Sequence, residues 1–259
     1  MEYKLVKLSK KEGVGTVLLD NAKAMNPTNT DSVRELAAAF TQFNQDPEVK
    51  AIVVTGGETV FSAGGDIPYM SEAGPQEMEE FIEGAHGIMN MIASSPKPYV
   101  AAIAGPALGG GTEFALACDI RIAADNAIFG QPEINLGIIP GGGGTQRLGL
   151  AVGWSHARYL ILTGEIIDAK RAFEIGLVNQ LVPLAELEDK AFRLARALGR
   201  KSPAALRTAK KAMNYAMNNS LDAGLEHEQK IWSLLFAGSD QTEGMKAFLE
   251  GRRPTYTGE

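Results

Sequence analysis

Two glutamates stand in glycine- and proline-framed segments whose makeup suits proton transfer beside a carbonyl. One segment is Ala107-Leu-Gly-Gly-Gly-Thr-Glu113, and the other is Phe129-Gly-Gln-Pro-Glu133. A glycine run that opens a helix bares backbone N–H groups with no intrahelical acceptor, and such groups bind developing negative charge. Gly110 and Glu113 are three residues apart, so on a helix they share a face. One turn then offers an N–H donor and a carboxylate to the same substrate atoms. Glu133 adds a second carboxylate if the fold joins the segments. A donor with two carboxylates equips a site for acid/base work next to a carbonyl.

Phe61-Ser-Ala-Gly-Gly-Asp-Ile67 is a further small-residue segment. Gly64 and Gly65 carry no Cβ to keep a ligand from the backbone, while Asp66 either caps the next helix or accepts a ligand hydrogen bond. Other chemistries find little support. Gly105 to Gly111 and Pro140 to Thr145 lack the Lys-Ser/Thr ending of a phosphate loop, and neither completes G-x-G-x-x-G. There is no G-x-S-x-G elbow, and Pro96 and Pro98 break the helix that would align Ser94 with Lys97. His86, His156 and His227 are scattered singly, so no metal and no separate cofactor are expected. Cys118 lies in an apolar stretch and reads as a small buried side chain.

The elements that must position these residues alternate through the first half. Strands are expected at Met1 to Leu8, Val14 to Asp20, Ala51 to Thr55, Tyr99 to Ala104 and Ile120 to Ala124. A helix capped by Thr30 or Asp31 runs to about Gln45, another spans Pro75 to Ile92, and the helix holding Glu113 falls between the last two strands. From about Trp154 the pattern is almost wholly helical. Asp168 starts a short helix that Gly176 ends, Leu184 to Lys201 forms a long amphipathic one, and Ser202-Pro203 opens the next. Leu221 to Ala237 and Asp240 to Glu250 give two more. The expected organisation is an α/β core over residues 1–195 that holds the site, followed by a helical C-terminal region over 196–259.

The chain has 259 residues, a formal charge of −6 and a pI near 5.3. That balance argues against general binding to nucleic acid or anionic membranes. A basic cluster at Arg200, Lys201, Arg207, Lys210 and Lys211 reads as a solvated face, or as a partner for ligand phosphates, ahead of an RNA site. The N-terminus lacks the apolar core of a signal peptide, no apolar run is long enough to span a membrane, and a lone cysteine suits a reducing compartment. A soluble, cytoplasmic protein is expected.

Taken together, the segments resemble the enoyl-CoA hydratase/isomerase, or crotonase, superfamily. Lys23-Ala-Met-Asn26, Phe61 to Ile67, Ala104 to Glu113, Phe129 to Ile134, Gly137 to Leu148 and the tail Ala247 to Pro254 carry the likeness. The resemblance implies a spiral of ββα units with a C-terminal helical region that builds trimers, often paired into hexamers. It implies an acyl-CoA thioester as ligand, its oxygen held by the N–H groups of Gly65 and Gly110. Lys23, Ala24, Ala63, Gly64, Asp66, Ile67 and Gly141 fall at substrate-contacting positions. Members that act as hydratases carry both glutamates, and the resemblance implies that Glu113 activates water for attack at Cβ and Glu133 protonates Cα. Double-bond isomerisation through the same enolate is the neighbouring alternative.

Overall fold

The computed structural model describes residues 3–258. Strand β1 is Val6–Lys11 and β2 is Val14–Leu19; they pair antiparallel around Glu12 and Gly13, both at positive φ, as a tight hairpin requires. Met1 and Glu2, placed in the first strand by pattern, lie outside the described residues. Helix α1, Thr30–Gln45, leads to β3, Ala51–Thr55; α2 is Ile67–Glu72 and α3 Pro75–Ser94. Next come β4, Tyr99–Ile103, β5, Pro106–Leu108, and α4, Gly110–Ala117. β6 is Ile120–Ala124, β7 Ile128–Gly130, α5 Gly144–Val152, α6 Trp154–Thr163 and β8 Ile166–Asp168. α7, Ala169–Glu174, and β9, Gln180–Val182, precede α8, Leu187–Leu198, α9, Pro203–Ala216, α10, Leu221–Leu234, and α11, Ser239–Leu249.

Among the described residues, one sheet runs β1-β2-β3-β4-β6-β9, parallel from β2 onward. β3 and β4 are apolar and buried nearly throughout because both faces of the sheet are covered. Phe40 of α1 and Ile92 of α3 share one core cluster with Tyr99; Leu187, Ala191 and Ala195 of α8 pack with Val53, Val100 and Ile122 in another. The expected division between residues 195 and 196 therefore falls inside α8, a helix that belongs to the sheet.

A second sheet, β5-β7-β8, positions the glutamates. β5 and β7 are parallel, with Leu108 opposite Gly130. Both chains thus leave the sheet at the same end, one into the helix of Glu113 and the other into the turn of Glu133. Neither strand is legible as a pattern, since three residues are too few to show a period.

Three expectations change. The cap of α1 is Asn29, not Thr30 or Asp31: its side chain accepts from the Ser32 N–H while the Ser32 hydroxyl accepts from the Asn29 N–H, a reciprocal box. The stretch 184–201 is a short 3₁₀ turn followed by α8. Lys210 leaves the basic face: it is 7% exposed, and its Nζ donates to Asp119 at 2.7 Å and to the carbonyls of Ile92 and Lys97. This anchors α9 under the sheet.

Candidate active site

The local chain around Glu113 folds as it does because glycine is the residue that fits. A Cβ on Gly111 would collide with the Ser62 carbonyl, and Gly109 sits at φ +51 as the residue before the helix. Gly109 N–H donates to the Gly130 carbonyl at 2.9 Å, and the buried Thr112 hydroxyl donates to Ala107 and Gly130 carbonyls. α4 is thereby stitched to both strands of the second sheet, and Glu113, 3% exposed, projects from its first turn.

The loops after β3 and β5 run side by side. Leu108 N–H donates to Ser62 carbonyl at 3.0 Å, and Gly64, at φ +95, fills a gap where a Cβ would stand 3.0 Å from Gly110 N. An ideal Cβ on Gly110 would lie 3.8 Å from Gly65 N, so the two backbone nitrogens are neighbours across the loops. Neither N–H donates to a protein acceptor among the described residues. Gly110 N–H belongs to the first turn of α4, where the helix has no acceptor to give it.

Glu133 rides a 3₁₀ turn, Pro132–Leu136, that Gly137 closes at φ +75. Its carboxylate lies against Gly109, where an added Cβ would come within 3.0 Å of Oε1. The Gln131 amide nitrogen, in the orientation that satisfies its neighbours, donates to Glu133 Oε1 at 2.9 Å and Oε2 at 3.1 Å. Glu113 is held by the glycine loop at the start of α5: Gly144 N–H donates to Oε1 at 2.7 Å, and Gly142 packs against the carboxylate, where an added Cβ would stand 2.7 Å from Oε2.

Burial raises the proton affinity of both acids. For Glu113 it is opposed by the Gly144 and Gly142 N–H groups and then by His86 and Arg147. Glu133 is pushed up to about 7, first by burial; its own N–H opposes this, and the Glu113 charge adds to it. The site therefore holds one carboxylate gripped by donors and one poised to carry a proton near neutral pH.

Both acids face a cavity of about 510 Å³ whose other walls are mainly apolar, with Met70, Met78, Phe81, Ile82 and Met89 on one side and Ile139 on another. Ala63, Gly65, Ile67, Gly110 and Gly141 also line it. Gly64 packs behind the two loops. Asp66 takes the capping role: Oδ1 accepts from Tyr69 N–H at 3.3 Å and Oδ2 from the Asn29 amide at 3.1 Å. Lys23 and Ala24 lie on an exposed 3₁₀ turn outside the cavity wall. The residue reading did not single out Gln131 or Arg147. Gln131 stands two positions before Glu133 inside the quoted motif, a visible signal; Arg147 likewise stands inside the quoted Gly137 to Leu148 segment, but it acts only through the loop.

A family model described as Enoyl-CoA hydratase/isomerase matches residues 9–259. The chain is 42% identical over 257 residues to a crotonyl-CoA hydratase of Syntrophomonas wolfei, covering 99% of each. It is 40% identical over 254 residues to a short-chain-enoyl-CoA hydratase of Clostridium acetobutylicum, covering 98% of this chain and 97% of that one. The crystal structure of an enoyl-CoA hydratase from Bacillus anthracis superposes with a TM-score of 0.95 at 36% identity, covering 99% of this chain and all of the other.

Proposed function

The chain belongs to the enoyl-CoA hydratase/isomerase family and has the crotonase fold, and on that premise we propose that it is an enoyl-CoA hydratase, a hydro-lyase. It adds water reversibly across the C2–C3 bond of a 2-trans-enoyl-CoA to give a 3-hydroxyacyl-CoA. One observation carries the reading: Glu113, Glu133, Gly65 and Gly110 line a single cavity.

The thioester oxygen accepts from the N–H groups of Gly65 and Gly110, which draws electron density from C3 and stabilises the enolate that forms. Glu113, as carboxylate, takes one proton from water while the water oxygen bonds to C3. The C2–C3 π electrons move into the thioester as the enolate. Glu133 gives its proton to C2. The pair begins and ends with one proton between them, so the reaction balances with no redox partner, and we propose that it needs no metal or cofactor. The names of the Syntrophomonas and Clostridium relatives point to short acyl groups.

We place the protein in solution as a homotrimer or a dimer of trimers, in the cytoplasm and without a nucleic-acid partner. Leu221, Trp232 and Leu234 of α10 and Phe248 and Leu249 of α11 are each more than half exposed, and no residue of α10 is buried within the chain. Apolar side chains at this density favour contact with another subunit. Among the described residues no helix is long and apolar enough to cross a membrane. Sedimentation equilibrium at micromolar concentration should give a multiple of three subunits; a monomer near 27.6 kDa would overturn the assembly.

The activity is tested by following loss of the conjugated thioester of crotonyl-CoA. Hydration to 3-hydroxybutyryl-CoA is expected. Turnover of a 3-enoyl-CoA without hydration of the 2-enoyl isomer would assign isomerisation instead.

A further inference from the structure

The loop Gly141-Gly-Gly-Gly144 is the longest glycine run of this chain, and glycine loses more conformational freedom on ordering than any other residue. Yet its Gly144 N–H holds Glu113 at 2.7 Å, and Gly142 packs against the same carboxylate. Something must hold the loop. Gly142 has no room for a side chain: a Cβ there would stand 2.7 Å from Glu113 Oε2 and 2.8 Å from Met89 Cε. Packing thus sets how near the loop lies, but not where its N–H bonds aim.

Two side chains of α3 supply the aim. His86 Nε2 donates to the Gly141 carbonyl at 2.6 Å. Four residues on, hence on the same helix face, Asn90 Oδ1 accepts from Arg147 Nη2 at 2.8 Å, and Arg147 Nη1 donates to the Gly142 carbonyl at 3.0 Å. Carbonyls 141 and 142 are therefore tied to α3. A peptide plane fixed at its oxygen is fixed at its nitrogen, because the C–N bond does not rotate freely. The Gly141 carbonyl shares its plane with the Gly142 N–H, and Gly142 stands directly against the Glu113 carboxylate, whose proton affinity its N–H lowers.

We propose that His86, together with Asn90 acting through Arg147, is a positioning residue that clamps Gly142 from both sides and so holds its backbone against the Glu113 carboxylate. The idea rests on the reading of Glu113 as the base. It has a consequence for the substrate as well: the neighbouring face of α3 presents Ile82, Ala85 and Met89 to the cavity. One helix thus meets the acyl group and steadies the base.

The test uses the full-length protein carrying His86→Ala, His86→Gln or Asn90→Ala. His86→Ala should lower kcat for crotonyl-CoA on the order of ten-fold to a hundred-fold, with KM little changed, as a small misplacement of a reacting group does. The acid limb of the kcat/KM profile should move to higher pH, because weaker N–H donation leaves burial less opposed at Glu113. Glu113 is faced by Glu133 from its turn, His86 from α3 and Arg147 from α5, with Glu79 of α3 also on the cavity wall. His86→Gln keeps a neutral donor and should restore most of both properties, and Asn90→Ala should move the limb in the same direction. A wild-type kcat with an unmoved limb in His86→Ala would overturn the proposal, as would a Gln variant no better than Ala, which would assign the effect to ring charge. A second readout needs no turnover: amide hydrogen exchange of the peptide containing residues 141–144 should quicken in His86→Ala. Unchanged exchange would sink the strut even if the enzyme proved to catalyse another reaction, and failure of the wild type to hydrate crotonyl-CoA would leave this readout intact.

Discussion

Glu113 and Glu133 share one cavity but sit in contrasting surroundings. Glu113 grows from a helix sewn to two strands, is 3% exposed, and has its carboxylate fixed by the Gly144 N–H of a separate loop. Glu133 rides a short 3₁₀ turn with its neighbours Ile134 and Leu136 open to solvent, and among the described residues Gln131 is the side chain that donates to it. The difference teaches how one residue type serves two tasks. Donors aimed at Glu113 favour its anion, the form that accepts a proton from water. Burial with fewer donors lifts Glu133 to about 7, where a carboxyl can give its proton away.

The sharpest way to break this contrast is to remove the charge at each position. Glu113→Gln and Glu133→Gln should each lower hydration by about 10²–10⁴-fold, the range for a lost general acid or base. Binding of an unreactive acyl-CoA, read by calorimetry, should change far less. A variant that hydrates at the wild-type rate would remove that residue from the chemistry.

Gly110→Pro probes what the two acids share. Proline deletes the N–H, and position 110 is the first residue of α4, where proline is tolerated. A Cβ there meets ordinary contact at 3.4 Å from the Gly64 Cα. A loss of about 10²–10³-fold is expected, with the fold intact by circular dichroism. Full turnover by a folded variant would contradict the oxyanion role.

These outcomes bear on how much was legible before the structure. The glutamates and the two glycines at the donor positions stand in dense local motifs, and the structure brings all four to one cavity. The β5–β7 pairing that brings them there was not legible, because each strand has three residues and its partner is about twenty residues away. Nothing local in Gly141 to Gly144 shows that the Gly144 N–H reaches Glu113, 31 residues back. Lys210 read as solvated because its partner Asp119 is 91 positions distant. Local chemistry shows in sequence, and long-range partners do not.

A smaller effect concerns pH. The reactive pair holds one proton in both directions, so kcat/KM for hydration and dehydration should share an alkaline limb near 7, where Glu133 ionises. Stability follows the same group. Unfolded, the carboxyl titrates near its ordinary 4.5; folded, near 7. The folded chain therefore binds more protons between those values. This contribution is full below 4.5 and is lost as pH rises through 7. Glu133→Gln should gain on the wild type across that window by about 1 kcal/mol, after allowance for solvent at the cavity mouth. Denaturation midpoints at pH 4.5 and pH 8 measure it, and a constant difference between the two proteins would contradict the shift.

The division of labour between the two acids is tested most directly by hydrogen exchange at Cα of a saturated acyl-CoA such as butyryl-CoA in deuterium oxide. That exchange needs the oxyanion donors and the group that serves Cα, but no water attack at Cβ. Glu113→Gln should keep the exchange while losing hydration, and Glu133→Gln should lose both. Exchange that survives in Glu133→Gln, or that vanishes only in Glu113→Gln, would contradict the account.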